Sequence, residues 1–156
     1  MSSSPAQSLA LPGGAEVRPR GLGRPRPVGP EPEFGLYLGS HRLRARHDAT
    51  LTWNREWIHW PDFLLPLDWV GAKRDIEALH ARAAAGEVVE LACHGGVGRT
   101  GTVLACLATL DGLEPDEAVS WVRAHYHRRA VETYWQRRWV RWFAKRGSAR
   151  CAVGGE

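Results

Sequence analysis

The apolar positions of this chain follow two periods, and they divide it into elements. "FGLYLGS" (34–40) is a short apolar run closed by Gly39 and Ser40, the pattern of a strand ending in a turn. "REWIHW" (55–60) predicts a second strand, ending before Pro61. Asp68 is placed to cap a helix running to about residue 85, with Ala72, Ile76, Leu79 and Ala83 on its inward face. Gly86 stops it. The Val-rich "EVVELA" (87–92) reads as a buried strand. Three helices then follow. The first spans Thr100 to Leu110, with Val103, Leu104, Leu107 and Leu110 facing the core. The second runs from about Pro115 to Tyr126 on Ala118, Val119 and Val122. The third covers roughly 131–146, with Trp135, Trp139, Trp142 and Phe143 on one stripe. Strands alternating with helices, then helices alone, predict an α/β class: a central twisted, mainly parallel sheet flanked by helices.

Composition sets the boundaries. Residues 1–30 are rich in Ser, Pro, Gly and Arg, and are expected to be disordered or loosely draped. Arg18, Arg20, Arg24 and Arg26 read there as a solvated tail. Residues 31–147 form the expected domain, and 148–156 a C-terminal tail. At 156 residues and 44% apolar, the chain suits one domain with a real core. A net charge of +4 fits an anionic substrate and requires no nucleic acid. The three cysteines, Cys93, Cys106 and Cys151, are widely spaced and form no CxxC pair. This argues against a disulfide scaffold and a structural zinc site, and for a reducing compartment. Neither a secretory signal nor a membrane-length apolar run is legible. A monomeric cytoplasmic protein without metal or cofactor is the expectation.

The chemistry concentrates in "LACHGGVGRTGT" (91–102). A buried strand, a glycine-rich loop and a helix aim backbone N–H groups and a positive helix end at one spot, which makes an anion site. The nucleotide-binding pattern GxxxxGK[ST] fails twice: Cys93 stands where the first glycine belongs, and Arg99 replaces the lysine. The pattern C-x5-R-[ST] fits fully on Cys93, Arg99 and Thr100.

That loop resembles the signature of the cysteine-dependent protein tyrosine phosphatase superfamily. The resemblance covers Cys93 to Gly101 and extends over most of 31–146, and it implies a tyrosine-phosphatase-like fold. A thiolate at Cys93 would attack phosphorus and form a phosphocysteine. The Arg99 guanidinium would grip two phosphate oxygens, and more strongly in the transition state. His94, Gly95, Gly96, Val97 and Gly98 would surround the phosphate with Arg99. Thr100, by resemblance, hydrogen-bonds the thiolate and helps it leave.

Such a reaction needs an acid for the leaving oxygen. "HWPDFLLP" (59–66) resembles the W-P-D-x-x-x-P movable loop of tyrosine phosphatases, and nominates Asp62. A turn aspartate is the bland alternative. A second glutamine of the family's Q-T-x-x-Q segment matches Gln136, but the first is Glu132. Glu132 either orients the hydrolytic water or is a first-turn glutamate of the last helix. Ala92 replaces the histidine usual before the nucleophile. The expected activity is hydrolysis of phosphate monoesters, foremost protein phosphotyrosine. The alternatives are an inositol phosphate or other small phosphate ester as substrate, or a catalytically weak phosphate-binding module.

Overall fold

The computed structural model describes residues 6–154, with side chains through 145. In chain order the strands are β1 (Leu9–Ala10), β2 (Glu16–Gly21), β3 (Phe34–Gly39), β4 (Asn54–His59) and β5 (Val89–Cys93). The helices are α1 (His41–His47), α2 (Trp69–Ala84), α3 (Gly98–Leu110), α4 (Pro115–His125) and α5 (Tyr134–Gly154). A 3-10 turn at Asp48–Thr50 follows α1. The sheet order is β1-β2-β5-β3-β4, and every pairing except β1–β2 is parallel. The expected α/β architecture is the observed one.

The pleat sorts side chains onto two faces. Phe34, Leu36 and Leu38 of β3 point with Ile58 of β4 and Val89, Leu91 and Cys93 of β5 into the larger core, under α2–α5. Tyr37 and Ala92 point the other way, into a smaller cluster with Leu22, Leu43, Leu51 and Trp53. Covering both faces explains the apolar run of β5, which is buried at all five positions. It also places Cys93 at the end of the central strand.

The reading of α2 holds: the Asp68 carboxylate accepts from Gly71 N at 3.0 Å, and Ala72, Ile76, Leu79 and Ala83 are buried. Gly86 ends the segment at φ +90°.

Four expectations are corrected. Residues 1–30 are not a disordered extension: β2 lies inside the sheet, paired with β5 from Arg18 opposite Glu90 to Gly21 opposite Cys93, and Val17 is fully buried. Pro19 is tolerated because β1 covers only Glu16 and Val17, leaving the rest of β2 an edge. Arg20 is no solvated residue either; its guanidinium pairs with the buried Glu90. The C-terminal tail is helical through Gly154, since α5 runs on past 147; Ala and Arg favour the helix, and a single interior Gly costs only about 1 kcal/mol. Finally, Trp135 is exposed (56%), whereas Gln136, Trp139, Val140 and Phe143 form the buried stripe. The helix begins at Tyr134, and its inward face is set by α3 and Trp60, which meets Trp139 edge-on at 5.3 Å.

Candidate active site

Strand β5 delivers Cys93 to the sheet's C-terminal edge, and the chain turns over Gly95 and Gly96 into α3. The helix starts on Val97, which offers no side-chain cap, so its first N–H groups remain open to an anion. Cys93 Sγ accepts from Thr100 Oγ1 at 3.1 Å and from Gly96 N at 3.2 Å.

Gly96 is held from three sides. Its N–H serves the sulfur, its carbonyl accepts from the Tyr126 hydroxyl, and its α-carbon packs on β2. A Cβ there would stand 2.7 Å from Gly21 N and 2.8 Å from the Arg20 carbonyl carbon, and the backbone sits at φ +75°. Only glycine meets both conditions. Burial, and after it the Cys93 charge, push the Tyr126 phenol up to about 12. Below the loop, on the far face of the sheet, Arg20 Nε reaches Glu90 at 2.5 Å. Glu90 also accepts from Tyr37 OH at 2.5 Å, and Trp53 Nε1 donates to Tyr37 at 2.7 Å. This network binds β2, β3 and β5 together behind Cys93. Desolvation first, then the Glu90 charge, raise the Tyr37 phenol. Ala92 packs fully buried beside it.

Arg99 is nearly buried (4% exposed). Its Nη1 donates to Trp60 O at 2.9 Å, and its Nη2 lies 3.4 Å from Asp62 Oδ1. The Asp62 loop is anchored at its ends: Trp60 is fully buried, its Nε1 donates to Leu64 O at 2.8 Å, and Leu67 N closes the base on His59 O at 3.1 Å. Its tip is exposed, with the Asp62 side chain 58% accessible and Phe63 at φ +59°. Cys93, Arg99, Thr100 and Asp62 are thus brought together by β5, α3 and this loop. His94 and Gly95 lie exposed at the mouth, with Val97 half-buried.

The last two candidates separate. The Glu132 carboxylate lies against the Gly98 α-carbon, at the Cys93–Arg99 loop. Gln136 is fully buried and serves the helix start: its Oε1 accepts from Thr133 N at 3.2 Å and Glu132 N at 2.8 Å, while Gln136 N donates to Thr133 Oγ1 at 3.1 Å. This is a capping box, and T-x-x-Q before a helix was its legible sign. Arg123 braces the preceding loop through the carbonyls of Ala130 and Val131, both at 2.9 Å. Cys106 is buried in α3 and its thiol is pushed well up by desolvation; the Cys151 side chain lies outside the described residues.

Sequence reading missed Tyr126, Gly21 and the whole of α1. Ser40, read as a turn residue, caps that helix, with its Oγ accepting from Leu43 N at 3.3 Å. Arg42 and Arg46 on α1 line the cleft shared by Asp62, His94 and Arg99.

Residues 72–150 match the family described as Swiss Army Knife protein, DSP-PTPase phosphatase domain (PTP-SAK). The chain belongs to this phosphatase family. That match spans the signature loop and every helix from α2 to α5 in whole or part. No curated protein matches the chain. Among solved structures, Tk-PTP in its active form is 23% identical, with a TM-score of 0.64 over 74% of this chain and 80% of that one. Kinase associated phosphatase (KAP) is 15% identical, with a TM-score of 0.70 over 95% and 99%. PTPMT1 is 14% identical, with a TM-score of 0.67 over 94% and 99%. These three likenesses establish a tyrosine-phosphatase-like fold. Family membership implies a phosphorylated substrate. Among the described residues, no helix is long and apolar enough to cross a membrane, and no group of three His, Cys, Asp or Glu could hold a metal ion.

Proposed function

We propose that this protein hydrolyses phosphate monoesters, foremost protein phosphotyrosine, through a phosphocysteine intermediate. The observation that carries the reading is one constellation: Thr100 and Gly96 donate to the Cys93 sulfur while Arg99 stands between Trp60 and Asp62. Two donors aimed at the sulfur favour the negative charge of a nucleophile. A phosphate bound by the loop amides and Arg99 presents phosphorus to that sulfur.

In the first step the S–P bond forms, the bond from phosphorus to the leaving oxygen breaks, and Asp62 gives that oxygen its proton. In the second, water attacks phosphorus and Asp62 takes the water's proton. The S–P bond then breaks, and the thiolate returns to the Thr100 hydroxyl. Inorganic phosphate leaves. Planar equatorial oxygens in the transition state match the guanidinium of Arg99. Glu132, beside Gly98, orients the water as an acceptor, and Gln136 holds the Glu132 backbone in place. Phe63 and Leu64 next to the acid, with Tyr134 and Trp135 just beyond Glu132, are exposed apolar groups suited to an aryl ester. A reducing, cytoplasmic setting keeps Cys93 free.

The test is phosphate release in EDTA and reductant, comparing wild type with Cys93→Ser on phosphotyrosine, phosphoserine and phosphothreonine peptides. Release led by phosphotyrosine and lost in the variant supports the reading. Equal release by both proteins, or none by wild type, overturns it.

A further inference from the structure

The cleft that holds Arg99 and Asp62 continues onto α1. It is a cavity of about 220 Å³, with Arg42, Leu43 and Arg46 on one side and Asp62, His94 and Arg99 on the other. The cavity is open to solvent beside the Cys93–Arg99 loop. Arg42 and Arg46 are four residues apart and share one face of α1, while Leu43 between them anchors the helix in the smaller core. Both arginines are exposed, and neither has a carboxylate within ion-pair reach among the described residues. Arg55 on β4 is by contrast neutralised by Asp48 at 2.7 Å. The single acidic residue in the cavity wall, Asp62, already faces Arg99. The positive excess is felt by a neighbour: His47 is held below its ordinary value, first by burial and then by the charges of Arg46, His94 and Arg20.

We propose that Arg42, Arg46 and His94 form a second anion subsite beside the phosphate loop, so that preferred substrates carry a second phosphate near the scissile one. The inference rests on the phosphatase reading for its meaning, though the subsite can be measured without turnover. Two guanidinium groups at helical spacing offer bidentate donors to one phosphate, which a lone surface charge cannot. A cyclitol polyphosphate and a peptide with phosphoserine beside phosphotyrosine present the same chemistry, and the assay separates them.

The experiment compares kcat/KM for inositol hexakisphosphate, and for that doubly phosphorylated peptide, with kcat/KM for p-nitrophenyl phosphate. Proteins are wild type, Arg42→Gln/Arg46→Gln and, as a charge control, Arg44→Gln, whose residue lies on α1 outside the cavity wall. At least one two-phosphate substrate should be preferred by wild type, and its ratio to p-nitrophenyl phosphate should fall tenfold or more in the double variant. The same ratio should stay within twofold in Arg44→Gln. An unchanged ratio in the double variant overturns the subsite, as does an equal fall in the control. If wild type hydrolyses nothing, the phosphatase reading has failed, and calorimetry on the same proteins decides the subsite alone. Inositol hexakisphosphate should then bind at least tenfold more tightly than inorganic phosphate, with that margin lost in the double variant; equal binding by both proteins overturns the proposal.

Discussion

The two loops that meet at this site are built in opposite ways. The Cys93–Arg99 loop is fixed from every side: Gly96 alone is bound by the sulfur, by Tyr126 and by the backbone of β2. The Asp62 loop is fixed only at its ends, by buried Trp60 and the His59–Leu67 closure, and its tip stands in solvent. In the proposed mechanism Cys93 and the loop amides act by being in place before the substrate arrives. In the proposed mechanism Asp62, on an exposed tip, serves as the acid once a substrate is bound, and contributes little to the fold. Changes in the acid loop's tip are therefore expected to cost activity alone, and changes in the signature loop to cost activity and stability together.

The largest test of that contrast is Asp62→Ala. It should lower kcat on phosphotyrosine peptides by about a thousandfold, equivalent to about 4 kcal/mol. The loss on p-nitrophenyl phosphate should be smaller, because its leaving group needs the proton less. Thermal unfolding should shift by no more than a degree or two, since the exposed Asp62–Arg99 contact contributes little. A large drop in Tm would show that the acid loop is part of the frame.

Next in size is Gly96→Ala. The added methyl meets the backbone of β2 and demands a positive φ, so a loss of about 2–3 kcal/mol in denaturant unfolding is expected, together with phosphatase activity. Unchanged stability would mean that β2 does not brace the loop.

Smallest is Tyr126→Phe, which removes one hydrogen bond to Gly96 and should cost about 1 kcal/mol at neutral pH. Its pH signature is more specific. The native phenol titrates near 12, against about 10 in an unfolded chain, so the folded state holds this proton more tightly. The resulting stability is fully present below pH about 10 and is lost as pH rises towards 12. Unfolding curves across that window should therefore fall more steeply for wild type than for Tyr126→Phe. Tyr37, also raised, contributes equally to both proteins. Parallel curves would remove Tyr126 from the loop's support.

Local rules carried much of this. The cap at Asp68, the stop at Gly86 and the inward face of α2 depend on neighbours in sequence, and were legible there. So were Cys93, Arg99 and Thr100, because a strand–loop–helix turn brings a short motif together on its own. Gln136 carried two overlapping signals: its spacing from Thr133 suits a family motif, and the same spacing builds the capping box seen in the structure. The face of α5 was misread because four tryptophan and phenylalanine positions fit one helical stripe, and only packing against Trp60 and α3 chose which of them went inside.

By itself, then, the sequence determined the α/β class, most of the elements from β3 onward and the make-up of the Cys93–Arg99 loop, since each depends on residues a few positions apart. Tertiary structure alone decided the rest. The Pro- and Arg-rich segment before residue 30 carries too little apolar surface to announce a strand, and becomes one because β5 offers a free edge and Glu90 offers a partner for Arg20. Asp62 faces Arg99, and α1 turns Arg42 and Arg46 towards the same cleft, across chain separations that no local pattern encodes. Those meetings depend on how distant strands pair and how the sheet's two faces fill.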